Sequence, residues 1–235
     1  MTVRSGAASW LDQWWRVGGA AGILYLILFI IGAIILQSDT PMSDDSAADI
    51  RKYFVDHPHK YIVGDFLIGL SFVFLFLPFA SSLRAFLGRA EGSSAVWSRL
   101  VFGGALLFTA VGAATSGLQG GLAYSAANFT DDNILKTVVN ANYYTFTTAV
   151  PFLAGLTVLS ASIVVLRTGA LWRWLGVLGI LFTVAAVIST LAVLNDDPEG
   201  PLGILGFINF IVFGVWILIT SAGLLMKQAP PEQAA

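Results

Sequence analysis

The chain contains no cysteine. Disulfides, thiolate metal sites, iron–sulfur clusters and cysteine nucleophiles are therefore excluded together. Charge is scarce as well: only 11% of the 235 residues are Asp, Glu, Lys or Arg, against about 25% in a soluble domain. The formal net charge is -2, and no block of Lys or Arg builds a local basic field, so nucleic acid is not an expected partner. The two histidines, His57 and His59, lie between apolar runs. That leaves no helical imidazole to hold a haem inside a membrane, or to act as base for a serine intramembrane protease at Ser116. No Lys falls within an apolar run, which removes the attachment point for a retinal Schiff base. The runs hold one carboxylate in all, so a paired-aspartate mechanism lacks its second member. Rows of gating arginines and a carbonyl filter sequence are absent too. The expectation is a protein with no catalytic residue, no metal site and no cofactor, and not an enzyme.

What the sequence has is hydrocarbon. It is 57% hydrophobic, with a mean hydropathy of +0.80. A helix needs roughly 20 apolar residues to cross a bilayer core of about 30 Å. Six runs meet that length: 17–36, 61–83, 100–124, 143–166, 174–194 and 202–226. Hydrocarbon leaves open sheet edges unsatisfied, so the runs must be helices. The first is too long for the h-region of a secretory signal and is read as retained. The fold class is thus an all-α membrane protein, a bundle of six transmembrane helices spanning 17–226. A segment at 1–16 precedes it and a disordered tail at 227–235 follows.

Basic residues give the orientation. Arg4, Arg16, Arg84, Arg89, Arg99, Arg167, Arg173 and Lys227 fall on one side of the runs, and Arg51, Lys52, Lys60 and Lys136 on the other, together with most of the acids. The basic side is expected to be cytoplasmic, with both termini inside. Trp10, Trp14, Trp15, Trp97, Trp172 and Trp174 gather near that side, where amphipathic rings settle at the headgroups. In the first outer loop, Ser43 with Asp44 and Asp45 reads as a helix N-cap. Ala47, Ile50 and Phe54 then share a face, predicting a short amphipathic helix that lies on the outer membrane surface and stops before Pro58.

Arg99, Leu107, Phe108 and Thr109 recur as Arg173, Leu181, Phe182 and Thr183 at a constant offset, which hints at an internal repeat of the kind some transporters carry. Three loop and helix-end segments carry a resemblance: Ala47-Ala48-Asp49-Ile50-Arg51-Lys52-Tyr53-Phe54, Leu83-Arg84-Ala85-Phe86-Leu87 with Arg89-Ala90-Glu91-Gly92, and Arg167-Thr168-Gly169-Ala170-Leu171-Trp172-Arg173-Trp174-Leu175-Gly176. With these the chain resembles the uncharacterised six-helix bacterial membrane proteins, common in actinobacteria, that are grouped under a domain of unknown function. The resemblance implies a bacterial inner (plasma) membrane and brings no catalytic residue with it.

The polar residues inside the runs all fall toward the outer helix ends. Asp65 lies one turn into the second run, Gln119 more than a turn from the end of the third, Tyr143 and Tyr144 at the start of the fourth, and Asn209 about two turns into the sixth. Thr109, Gly112, Ser116 and Gln119 follow helical spacing, as do Asn209, Phe213, Trp216 and Thr220. One reading is an outward-facing cavity with Asp65 as its charge or proton carrier. The other is helix packing, since small residues such as Gly112, Ser116 and Gly120, or Gly18 and Gly22, let helices approach in lipid. On that view Asn209 makes an interhelical hydrogen bond and Asp65 is an interfacial carboxylate near Lys60. Pro78 and Pro151 are expected to kink their helices. His57-Pro58-His59 lacks a full ligand set and reads as a solvated loop. Asn128-Phe129-Thr130 matches a glycosylation acceptor, which matters only if the host glycosylates exported loops.

The functional expectation is a non-enzymatic membrane protein that acts by binding, as an accessory subunit of a membrane complex or as a holder of a lipophilic ligand. Its expected partners are the lipid bilayer and another membrane protein or a bound lipid. The alternative is a small-solute transporter built around Asp65.

Overall fold

A computed structural model describes residues 5–37, 45–129, 131–194 and 200–226, with side chains in the first stretch from residue 14 onward. The helices are α1 (Ser5–Gln37), α2 (Ala47–Asp56), α3 (Pro58–Glu91), α4 (Val96–Ser125), α5 (Asp132–Thr168), α6 (Arg173–Ser189) and α7 (Pro201–Met226). Single 3-10 turns extend α4 and α6. No strand occurs among the described residues. All but α2 are long and apolar enough to cross a membrane, so the architecture is that of a multi-pass membrane protein. Ser43, Asp44, Thr130 and the tail at 227–235 lie outside the described residues.

Each spanning helix packs on its neighbours in the chain, and α7 closes on α1, so the six form a ring. Glycines make the closest seams. A Cβ on Gly18 would lie 2.1 Å from Ser82 Cβ of α3, and one on Gly22 would lie 2.2 Å from Ser221 Oγ of α7. Without side chains there, α1 sits tightly between its two neighbours. Aromatic rings fill the middle of the ring of helices. Phe72 and Phe76 of α3 meet Phe108 of α4 at 5.1 and 4.8 Å, and Phe213 of α7 lies 5.5 Å from Phe108 and 5.3 Å from Phe182. Lipid is as apolar as these rings, so dispersion and ring geometry hold this wall more than the hydrophobic effect does, at about 0.5–1.5 kcal/mol per ring pair. Phe108 and Phe182 are equivalent in the suspected repeat; both are buried, while Leu107 and Leu181 beside them both face outward.

Several local features depart from the sequence expectations. The helices extend past the apolar runs, and α5 begins at Asp132, capped by Asp131 Oδ1, which accepts from Asn133 N at 2.8 Å. Hydropathy marks only the part of a helix that lies in hydrocarbon, so polar first turns escape it. In α3 the expected disturbance at Pro78 takes the form of a π-helical stretch, Ser71–Phe76, just ahead of it. Pro78 has no N–H to donate, so a shift of hydrogen-bond register costs least there. Trp15 is buried within the bundle, edge-on to Phe86 at 5.2 Å with Arg89 over its ring. At the turn into α4, Glu91 does the capping: its carboxylate accepts from Trp97 N at 2.9 Å and Ser98 N at 2.8 Å. Gly92, with φ of 86°, makes that turn possible.

The α2 segment differs most. Its N-cap is Ser46, whose Oγ accepts from Asp49 N at 3.1 Å, rather than Ser43. Ile50 and Phe54 are fully enclosed. The face expected to meet lipid therefore packs onto the end of the bundle instead, against Tyr61, Leu122, Ala126 and Leu135.

Candidate functional site

Asp65 stands in α3 facing α4. Its side chain is 5% exposed. A Cβ on Gly120 would lie 4.0 Å from Asp65 Cβ, and one turn deeper a Cβ on Gly69 would lie 3.7 Å from Ser116 Cβ. These two glycines narrow the α3–α4 seam around the carboxylate. The hydroxyls nearby are already engaged: Ser116 Oγ and Thr115 Oγ1 donate to Gly112 O at 3.0 and 2.9 Å within α4. Asp65 Oδ2 has no hydrogen-bond partner among the described residues.

Gln119, next to Gly120, accepts at Oε1 from Asn142 Nδ2 of α5 at 3.2 Å. Asn142 is 6% exposed, and its own Oδ1 has no partner among the described residues. Sequence reasoning missed this residue because it precedes the apolar run; the spacing of Leu135, Val138, Val139, Asn142 and Phe146 would have found it. Tyr143 and Tyr144 pack edge-on to each other at 5.5 Å. Tyr143 is 40% exposed, on the outer side of α5 rather than inward with Asn142. Asn209, 5% exposed, makes a bridge to α6. With its amide oriented to satisfy both atoms, it donates to Phe182 O at 3.2 Å and accepts from Ala186 N at 3.1 Å. Thus Asp65 and Gln119 share one seam, joined by Asn142, while Asn209 has a separate partner at another seam.

Over this end of the bundle lies α2. Phe54 packs on Tyr61 at 4.5 Å, and Tyr61, 1% exposed, sits one helical turn before Asp65 in α3. Arg51 ties α2 down from 81 residues away, donating to Asp132 Oδ1 at 2.5 Å, to Ala127 O at 3.4 Å and to Phe129 O. Lys136 Nζ adds a bond to Asp45 O at 2.6 Å. His57 and His59 are exposed, and no cluster of three metal-ligating side chains occurs among the described residues.

The other half of the bundle has its own buried polar groups. Ser160, Ser162, Thr220 and Ser221 hydroxyls and the Trp216 indole N–H lack hydrogen-bond partners among the described residues. The wall of phenylalanines separates them from Asp65.

No curated protein matches the chain, and no solved structure does. A family model described as a domain of unknown function, DUF4386, matches residues 20–220. That match begins in α1 and ends in α7, so it takes in the ring of helices, the Asp65 seam and the α2 cover, and the chain belongs to the DUF4386 family.

Proposed function

We propose that this chain is a non-enzymatic membrane protein that binds a small cationic solute at Asp65. The observation that carries the reading is a carboxylate 5% exposed with an oxygen that no group of the described protein satisfies. A charge held in such a place is costly, and intramembrane carboxylates mark ion or substrate sites for that reason. A cation or a proton removes the cost. The Gln119–Asn142 pair and the aromatic cover of Tyr61 and Phe54 supply an environment of mixed polar and apolar character, as ligand sites have. Transport of the solute uses the same residue and is the natural extension of binding. The test is thermal unfolding in detergent across a series of inorganic and organic monovalent cations. At least one should stabilise the wild type and leave Asp65→Asn unmoved; equal shifts in both proteins sink the proposal.

The Arg and Lys distribution supports placing the α2 end outside a bacterial plasma membrane and both termini in the cytoplasm. A second reading, an accessory subunit, draws on the outer surface of α4. Cβ atoms on Gly103, Gly117 or Gly121 would meet nothing within 4 Å, a flat surface of the type that transmembrane helices use to approach one another. Co-purification of a stoichiometric membrane partner, lost on Gly117→Leu, would favour it.

A further inference from the structure

The Asp65 carboxylate is enclosed, so a solute that binds there needs a way in. Deeper in the bundle the route is closed, because Phe72 fills the space beside Gly112, where an added Cβ would lie 2.6 Å from the ring, and Phe108 backs it at 5.1 Å. Toward the near end, Tyr61 stands one turn from Asp65, and Phe54 of α2 packs on it at 4.5 Å. We propose that α2 is a hinged lid, and that solute reaches Asp65 only when α2 swings away about His57.

Three features support a hinge. First, α2 ends at Asp56 and α3 begins at Pro58, with His57 alone between them at φ -128° and ψ 42°. The residue before a proline is steered away from helical backbone, so α2 and α3 cannot fuse into one rigid rod. Second, the lid is held by side chains and single polar links rather than by a helix-long seam: Ile50 and Phe54, Tyr53 edge-on to Tyr61 at 5.5 Å, the Arg51 tether and the Lys136 bond to Asp45 O. The Arg51–Asp132 pair is about a third exposed on each side, and such pairs contribute roughly 1 kcal/mol or less. Third, the face that α2 covers is apolar and aromatic, with Tyr61 and Leu135 wholly buried beneath it, so opening uncovers a surface suited to an organic cation. The opposite face carries Lys52 and Asp56 into solvent.

The inference rests on Asp65 as the binding centre, yet its test needs no ligand. Because the chain has no native cysteine, Asp65→Cys gives a single thiol. Its modification rate by the membrane-impermeant cation methanethiosulfonate ethyltrimethylammonium reads access to the seam. Ser116→Cys, nearly isosteric and with Asp65 intact, is the second reporter. Releasing the lid with Arg51→Ala or Phe54→Ala should speed modification at least tenfold at both reporters. Ser162→Cys, buried beyond the phenylalanine wall, should keep its rate. Unchanged rates at Asp65→Cys and Ser116→Cys overturn the lid. Equal acceleration at Ser162→Cys overturns it too, since that would be general loosening. Lid-dependent rates in a protein that no cation stabilises would support the gate while removing the proposed ligand.

Discussion

Asp65 is enclosed, and its Oδ2 has no partner among the described residues, so its presence should cost stability. Asp65→Leu removes the unmatched buried polar group, and should stabilise the protein by about 1–3 kcal/mol, the usual size of an unmet buried polar group. Unfolding in detergent, without added cation, reads this directly; a clear loss of stability would mean that Asp65 holds the fold together. Asp65 was legible in the sequence because it is the one charge inside an apolar run. Its burial was not, since that depends on Gly69 and Gly120, whose facing positions only the α3–α4 pairing reveals. Asn209 illustrates the opposite case. Its helical position was readable, and of its two readings the interhelical hydrogen bond matches its bridge to Phe182 O and Ala186 N.

At the scale of elements, small residues divide by the face they occupy. A Cβ on Gly179 would lie 2.0 Å from Ser162 Oγ and 2.8 Å from Val158 Cγ1, whereas one on Gly121 would meet nothing within 4 Å. Gly179→Ala should therefore destabilise by about 1–3 kcal/mol through overpacking. Gly121→Ala should be neutral, or gain up to about 1 kcal/mol from helix propensity. Similar losses at both positions would contradict the packing described for α5, α6 and α7. Glu91→Ala should cost about 1 kcal/mol by uncapping α4, again read by unfolding in detergent, because the carboxylate satisfies two N–H groups there. Helix α2 shows how far local signals reach. Its existence, and the shared face of Ile50 and Phe54, could be read from spacing. Its seat on the bundle could not, because that is made by Tyr61, Leu122 and Leu135, and by an Arg51 tether to the α4–α5 turn.

For the whole molecule, the six spans were the most legible feature, since hydropathy over some 20 residues responds to nothing but the lipid. Their closure into a ring, and the phenylalanine wall across it, arise from pairings between distant helices that spacing along the chain does not encode. The sidedness proposed from the basic residues is open to a direct check. Cysteines at Ser93 or Gln228 should react with impermeant maleimide only in opened cells, and one at Lys52 should react in intact cells. The reverse pattern would invert the molecule.

The wall of rings also gives the protein a direction. With Phe72, Phe76, Phe108 and Phe213 in contact, the proposed Asp65 site would fill from the α2 side and be insulated from the other. Occupancy would then follow the concentration on the α2 side alone, as in a one-way gauge. A solute could pass through only by a concerted displacement of several interlocked rings, which would make crossing far slower than filling.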